Sequence, residues 1–217
     1  MNLSQILSEK KAGAAQNIPA EKWAIMENST NILKEAKLSL NAVKTGDILP
    51  VFNLPNANNT NIKLEDFNNE YLVISFYRGG WCPYCNIELR ALQNILPELK
   101  KLNAELIAIS PETPDNSLTT TEKNELSFNV LSDIDNKYAK SLGLVFQMPE
   151  DLRALYHSFN LNVDAHNGNK DYELPMPATY IINRQKEIIY SFVPEDYTER
   201  LEPEVVLEII KKQSISA

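Results

Sequence analysis

Tyr71-Leu72-Val73-Ile74-Ser75-Phe76-Tyr77-Arg78-Gly79-Gly80-Trp81-Cys82-Pro83-Tyr84-Cys85 is the stretch on which the fold turns. Its first seven residues are almost unbroken in apolarity and rich in β-branched and aromatic side chains, the pattern of a strand covered on both faces of a parallel sheet. Beyond the stretch, Leu89, Leu92, Ile95, Leu96, Leu99 and Leu102 recur at i, i+3, i+4 and i+7 intervals, which predicts an amphipathic helix. Cys82 and Cys85 therefore lie where a buried strand hands over to a helix, with Pro83 suited to the first helical turn.

These are the only two cysteines of the chain. A helix start presents unpaired N–H groups and the positive end of the macrodipole, and Arg78 adds a full charge just upstream, so a thiol placed there loses its proton readily. Free cysteine titrates at about 8.5, and such settings lower that to roughly 3.5–7.5. The second thiol is near enough to close a Cys82–Cys85 disulfide, so one sulfur attacks a substrate and the other resolves the product.

Two plainer roles compete with redox chemistry. A structural disulfide is unusual in a chain without an export signal, and closing so short a loop constrains the unfolded chain little. A zinc site needs two further ligands, and the only histidines, His157 and His166, are spaced too widely for the usual pair. No metal and no cofactor is expected, and both histidines read as surface or packing residues.

With 217 residues, 43% of them hydrophobic and 23% charged, the chain can build one sizeable core. A net charge of -8 and the lack of a Lys/Arg cluster argue against nucleic acid or an anionic membrane as partner. The N-terminus lacks the basic and apolar regions of a signal peptide, and no apolar run is long enough to span a bilayer, so the cytoplasm is the expected location.

The sequence divides near Lys44-Thr45-Gly46-Asp47. Residues 1–44 are expected to form an N-terminal helical extension, with a break at Asn17-Ile18-Pro19-Ala20, and residues 45–217 the main domain. The extension reads either as a dimerisation arm giving a homodimer or as a helical cover, and cover is favoured because amphipathic helices more often pack in cis. After the motif helix the pattern continues as a strand at 105–110, a helix at 117–126, a strand at 128–131, and helices at 135–142, stopped by Gly143, and at 149–159. A hairpin of strands at 178–183 and 187–193 and a closing helix at 204–212 complete it. Strands alternating with helices indicate an α/β fold with a mixed central sheet flanked by helices.

Four stretches carry a resemblance: Gly46-Asp47-Ile48-Leu49-Pro50-Val51-Phe52-Asn53-Leu54-Pro55, Phe76 to Asn86, Ile109-Ser110-Pro111-Glu112-Thr113-Pro114, and Pro175-Met176-Pro177-Ala178-Thr179-Tyr180-Ile181-Ile182. In that order they resemble the alkyl hydroperoxide reductase/thiol-specific antioxidant branch of peroxiredoxin-like proteins, in the thioredoxin superfamily. The resemblance implies a thioredoxin-like fold for residues 45–217. It also implies a thiol-dependent peroxidase acting on hydrogen peroxide or organic hydroperoxides, recycled by thioredoxin or another dithiol donor. Cys82 and Cys85 are then the catalytic pair, with Arg78, Trp81, Pro177 and Thr179 in support.

The departures are informative. Setting Cys85 on the family's peroxidatic cysteine places Cys82 at its threonine and Arg78 at its proline, so the hydroxyl that orients peroxide is missing. Where the family usually has an arginine, this chain has Pro177, which resembles the cis-proline that thioredoxins set against their C-x-x-C. Helix position favours Cys82 as nucleophile and loop alignment favours Cys85, and the order of attack stays open. The alternative function is a thioredoxin-like thiol-disulfide oxidoreductase acting on protein disulfides. A redox-sensing binding protein is a third class. Glu88 and Arg90 read as a solvated helical face. Asp196, Tyr197 and Arg200 match the family's C-terminal wording, without a chemical role that the sequence supplies.

Overall fold

The computed structural model describes residues 2–216. Two helices come first, α1 (Leu3–Asn17) and α2 (Ala20–Ala36), then a small hairpin, β1 (Asn53–Pro55) and β2 (Asn61–Lys63). The motif unit follows as β3 (Tyr71–Phe76), α3 (Pro83–Lys101) and β4 (Ala104–Ser110), then α4 (Pro114–Lys123), β5 (Asn129–Ser132) and α5 (Lys137–Ser141). The remainder is β6 (Val145–Gln147), α6 (Glu150–Ser158), α7 (Val163–Asn167), β7 (Glu173–Pro175), β8 (Ala178–Asn183), β9 (Ile188–Phe192) and α8 (Pro203–Ser216).

The central sheet has five strands in the order β5-β4-β3-β8-β9. β3, β4 and β5 are mutually parallel, whereas β8 runs antiparallel to β3 and pairs with β9 as a hairpin at the edge. Strand alternation divides the side chains between two cores. Val73, Leu106, Ala108 and Ile181 face one side, with Leu89, Leu92, Leu96 and Leu99 of α3 and Val206 and Ile210 of α8. Leu72, Ile74, Phe76, Ile107, Ile109, Tyr180 and Ile182 face the other, against Tyr138, Ala139 and Leu142. Covering on both faces is why β3 reads as continuously apolar.

Thus the α/β class, the mixed sheet and the C-terminal hairpin are as expected. Differences arise where capping outweighs periodicity. Helix α4 begins at Pro114 rather than residue 117, because proline is favoured at the first helical position. The segment expected as a helix at 135–142 starts with a kink at Asp135 and Asn136, both at positive φ, before α5 and its stop at Gly143. The β1–β2 hairpin and the antiparallel pair β6–β7 were not legible, since three-residue strands carry too little alternation to read.

One expectation is overturned. No peptide bond among the described residues is cis, Met176–Pro177 included. Pro175 is paired to Val145, the Met176 N–H donates to the Leu144 carbonyl at 2.8 Å, and Ala178 is already paired to Phe76. The chain thus runs extended from β7 into β8, and a trans link continues that path.

The N-terminal helices pack on the same chain. Leu3 and Leu7 enter the core beneath α1. Glu202 accepts the Leu3 and Ser4 N–H groups at 2.9 and 2.6 Å, which satisfies two of the unpaired donors at the start of that helix.

Candidate active site

Cys82 is the N-cap of α3, in extended backbone, and Pro83 is its first helical residue. The approach loop is held by side chains. Asn86 donates through Nδ2 to the carbonyls of Gly80 and Cys82, at 2.8 and 3.0 Å, and accepts from Asn124 at 2.8 Å. Buried Glu112 accepts the Gly80 N–H at 2.8 Å and the Thr120 hydroxyl at 3.3 Å, and its other oxygen lies 3.1 Å from His166 Nδ1. Half-exposed His166 thus helps to hold the loop, whereas His157 sits on the surface between Asn162 and Tyr172.

Both thiols are free and buried, Cys82 at 1% exposure and Cys85 at 0%. Burial opposes ionisation of Cys82, but a hydrogen bond from Cys85 and the charges of Arg78 and Arg200 outweigh it and bring Cys82 down to about 6. Cys85 moves the other way, raised well above the ordinary thiol range by burial and then by its hydrogen bond to, and repulsion from, the charge on Cys82. Two sulfurs one helical turn apart share a single proton, and the one at the helix start gives it up.

Each cation has a built seat. The Arg78 Nη2 donates to the Tyr156 hydroxyl at 2.8 Å, and its guanidinium carbon lies 4.5 Å from the Tyr197 ring centroid and 5.1 Å from that of Trp81, so cation–π attraction compensates part of its desolvation. Arg200 donates Nε to Glu88, Nη1 to the carbonyls of Tyr197 and Glu199 at 2.6 and 2.7 Å, and Nη2 to the Cys85 sulfur at 3.2 Å. Burial pushes the Glu88 carboxyl up to about 7 against the pull of Arg200.

A cleft of about 490 Å³ opens over the motif. Its floor and sides include Arg78, Trp81, Cys82, Pro83, Tyr84, Tyr156 and Tyr197, and residues of α1 and α2 close it from above. Asp196 pins those two helices by accepting from Lys11 and Lys34 at 3.0 and 3.1 Å.

Of the residues singled out from sequence, Cys82, Cys85, Arg78 and Trp81 come together. Pro177 and Thr179 do not line the cleft. Pro177 is buried between two strands, and Thr179 stands in β8 opposite Ser75, on the sheet face beneath α3. Arg90 is exposed as expected, but Glu88, expected on a solvated face, is only 2% exposed. The signal was present: Glu88 lies three residues after Cys85 and four before Leu92, inside the apolar stripe. Arg200 had no such signal, because its contacts with Glu88 and Cys85 span more than a hundred residues.

The chain is similar to several known proteins. Peroxiredoxin Bcp of Escherichia coli strain K12 is 31% identical over 105 residues, which is 48% of this chain and 67% of that protein. The chloroplastic peroxiredoxin Q of Gentiana triflora is 30% identical over 118 residues, 54% of this chain and 52% of that protein. Among solved structures, peroxidoxin BcpB from Mycobacterium tuberculosis superposes with a TM-score of 0.63 over 78% of this chain and 97% of its own, at 17% identity, a likeness of fold. Residues 45–191 match the AhpC/TSA family, and the match takes in the strand, the approach loop and both thiols of the site. The chain belongs to the AhpC/TSA family.

Proposed function

We propose that this chain is a thiol-dependent peroxidase that reduces hydrogen peroxide or an organic hydroperoxide through Cys82 and Cys85. The observation that carries the reading is the split acidity of the pair: a Cys82 thiolate beside Arg78 at the floor of a cleft, with a protonated Cys85 behind it. The Cys82 thiolate attacks the terminal peroxide oxygen; an S–O bond forms, the O–O bond breaks, and the leaving oxygen departs as water or alcohol after taking a proton. Cys85 then attacks the sulfenic sulfur, an S–S bond forms, and water leaves with the Cys85 proton. Thioredoxin or another dithiol donor returns two electrons and two protons. Arg78 stabilises the thiolate, and Trp81, packed on Tyr156 at a centroid distance of 5.8 Å, shields it.

Both sulfurs come from one helix end, so the chemistry asks for a single chain and a homodimer adds nothing to it. A thiol pair reduced between turnovers suits a reducing compartment, and the cytoplasm is the proposed location. No helix among the described residues is long and apolar enough to cross a membrane.

The thiol-disulfide oxidoreductase reading retains support from a low-pKa cysteine at the N-cap of a C-x-x-C helix. Stopped-flow oxidation of the reduced protein by peroxide, set beside its rate of reducing a model disulfide, separates the two. The peroxidase reading expects the peroxide reaction to be the faster by orders of magnitude. The reverse ranking overturns it.

A further inference from the structure

The cleft over Cys82 is far larger than hydrogen peroxide needs. At about 490 Å³ it falls within the roughly 300–1,000 Å³ of small-molecule sites. Its walls are mainly apolar, contributed by Ala14, Ile18, Met26, Phe159 and Leu161. At its polar end, Arg78 and Tyr84 are both buried, and neither Arg78 Nε nor the Tyr84 hydroxyl has a protein partner among the described residues. Buried donors without acceptors are costly, and both residues line the cleft that holds Cys82. The site therefore pairs a polar end with an apolar chamber.

One wall of that chamber is α1, which lies outside residues 45–191, the part that matches the family. Gly13 stands on this wall, and a Cβ built there meets nothing within 4 Å.

Resting on the peroxidase reading, we infer that α1 is the substrate-selecting wall of the site. The substrate is an organic hydroperoxide whose apolar R group lies against Gly13 and Ala14, while its oxygens meet the Cys82 thiolate, Arg78 Nε and the Tyr84 hydroxyl. In the step itself the thiolate sulfur takes the terminal O–H and is oxidised by two electrons. The O–O bond breaks, and the leaving alkoxide takes a proton from solvent to depart as alcohol.

The test is stopped-flow oxidation of the full reduced chain by cumene hydroperoxide and by hydrogen peroxide, for the wild type, Gly13→Ala, Gly13→Leu and Gly13→Trp. Replacing glycine inside a helix favours the helix, and the side chains grow into open space, so folding, checked by thermal melting, is retained. The ratio of the two rate constants, cumene hydroperoxide over hydrogen peroxide, is expected to fall progressively, by about tenfold at Gly13→Leu and further at Gly13→Trp, the size of a few lost apolar contacts. Tyr84→Phe should slow both reactions, because both substrates share the peroxide group.

An unchanged ratio across the Gly13 series overturns the inference. So does a series in which only re-reduction of the disulfide by thioredoxin slows, since the cleft then seats the reductant. A wild type inert to both peroxides sinks the peroxidase reading instead, an outcome distinct from these.

Discussion

The Arg200 guanidinium bridges Glu88 and Cys85, donating Nε to the carboxylate and Nη2 to the sulfur at 3.2 Å. Glu88 and Arg200 are both buried, so each charge depends on the other. Replacing a buried ion pair by apolar groups can be neutral, but removing one partner strands the other. Above the pH of about 7 at which the Glu88 carboxyl ionises, Glu88→Gln should therefore destabilise the protein by about 3 kcal/mol, read as a lower urea midpoint. A variant as stable as the wild type contradicts the reading of this contact as a desolvated ion pair.

The two cysteines should fail differently. Cys82→Ser is expected to abolish fast reaction with peroxide. With one equivalent of peroxide, Cys85→Ser should still be oxidised once, gaining one oxygen in intact mass as the sulfenic acid. The wild type should lose two hydrogens and form no disulfide-linked dimer, visible by mass spectrometry and non-reducing gels. Fast single oxidation of Cys82→Ser, with none in Cys85→Ser, assigns the attack to Cys85.

The Cys82 shift can be read in two ways. Alkylation of the reduced protein should inflect near pH 6 rather than near 8.5, and Arg78→Met should move the inflection upward. The sign for stability follows from proton counts. Cys82 titrates at about 6 in the folded chain and about 8.5 unfolded, so between those values the unfolded state binds more protons. This contribution to stability is fully present above about 8.5 and is lost as pH falls through about 6. Urea titrations of the reduced and the Cys82→Ser proteins across that window should diverge as pH rises; parallel curves refute the shift.

Gly80 is the tight point of the approach loop. A Cβ there lies 1.9 Å from Thr120 Oγ1. Gly80→Ala should cost about 1–3 kcal/mol and slow the peroxide reaction, because the loop that sets Cys82 must shift. Adding Thr120→Ala removes the clashing oxygen and should recover part of both losses in a double-mutant cycle. Strictly additive losses in that cycle exclude the clash as the cause.

The sequence by itself determined the α/β architecture and the placing of the thiols. Strands covered on both faces and an amphipathic helix leave local, periodic signatures, and Cys82 and Cys85 stand at the junction of two such segments. It also carried, in the apolar stripe of α3, the cue that Glu88 is buried. Tertiary structure alone decided the split in acidity, which at Cys82 follows from the hydrogen bond from Cys85 and from Arg78 in its aromatic seat, and at Cys85 from burial that outweighs the pull of Arg200, 115 residues along the chain. It likewise decided that Met176–Pro177 is trans and that α1 closes the cleft, because both depend on where remote segments dock. Periodicity records which face of an element is buried; it does not record what that face meets, and burial together with charge partners is what sets acidity and access at this site.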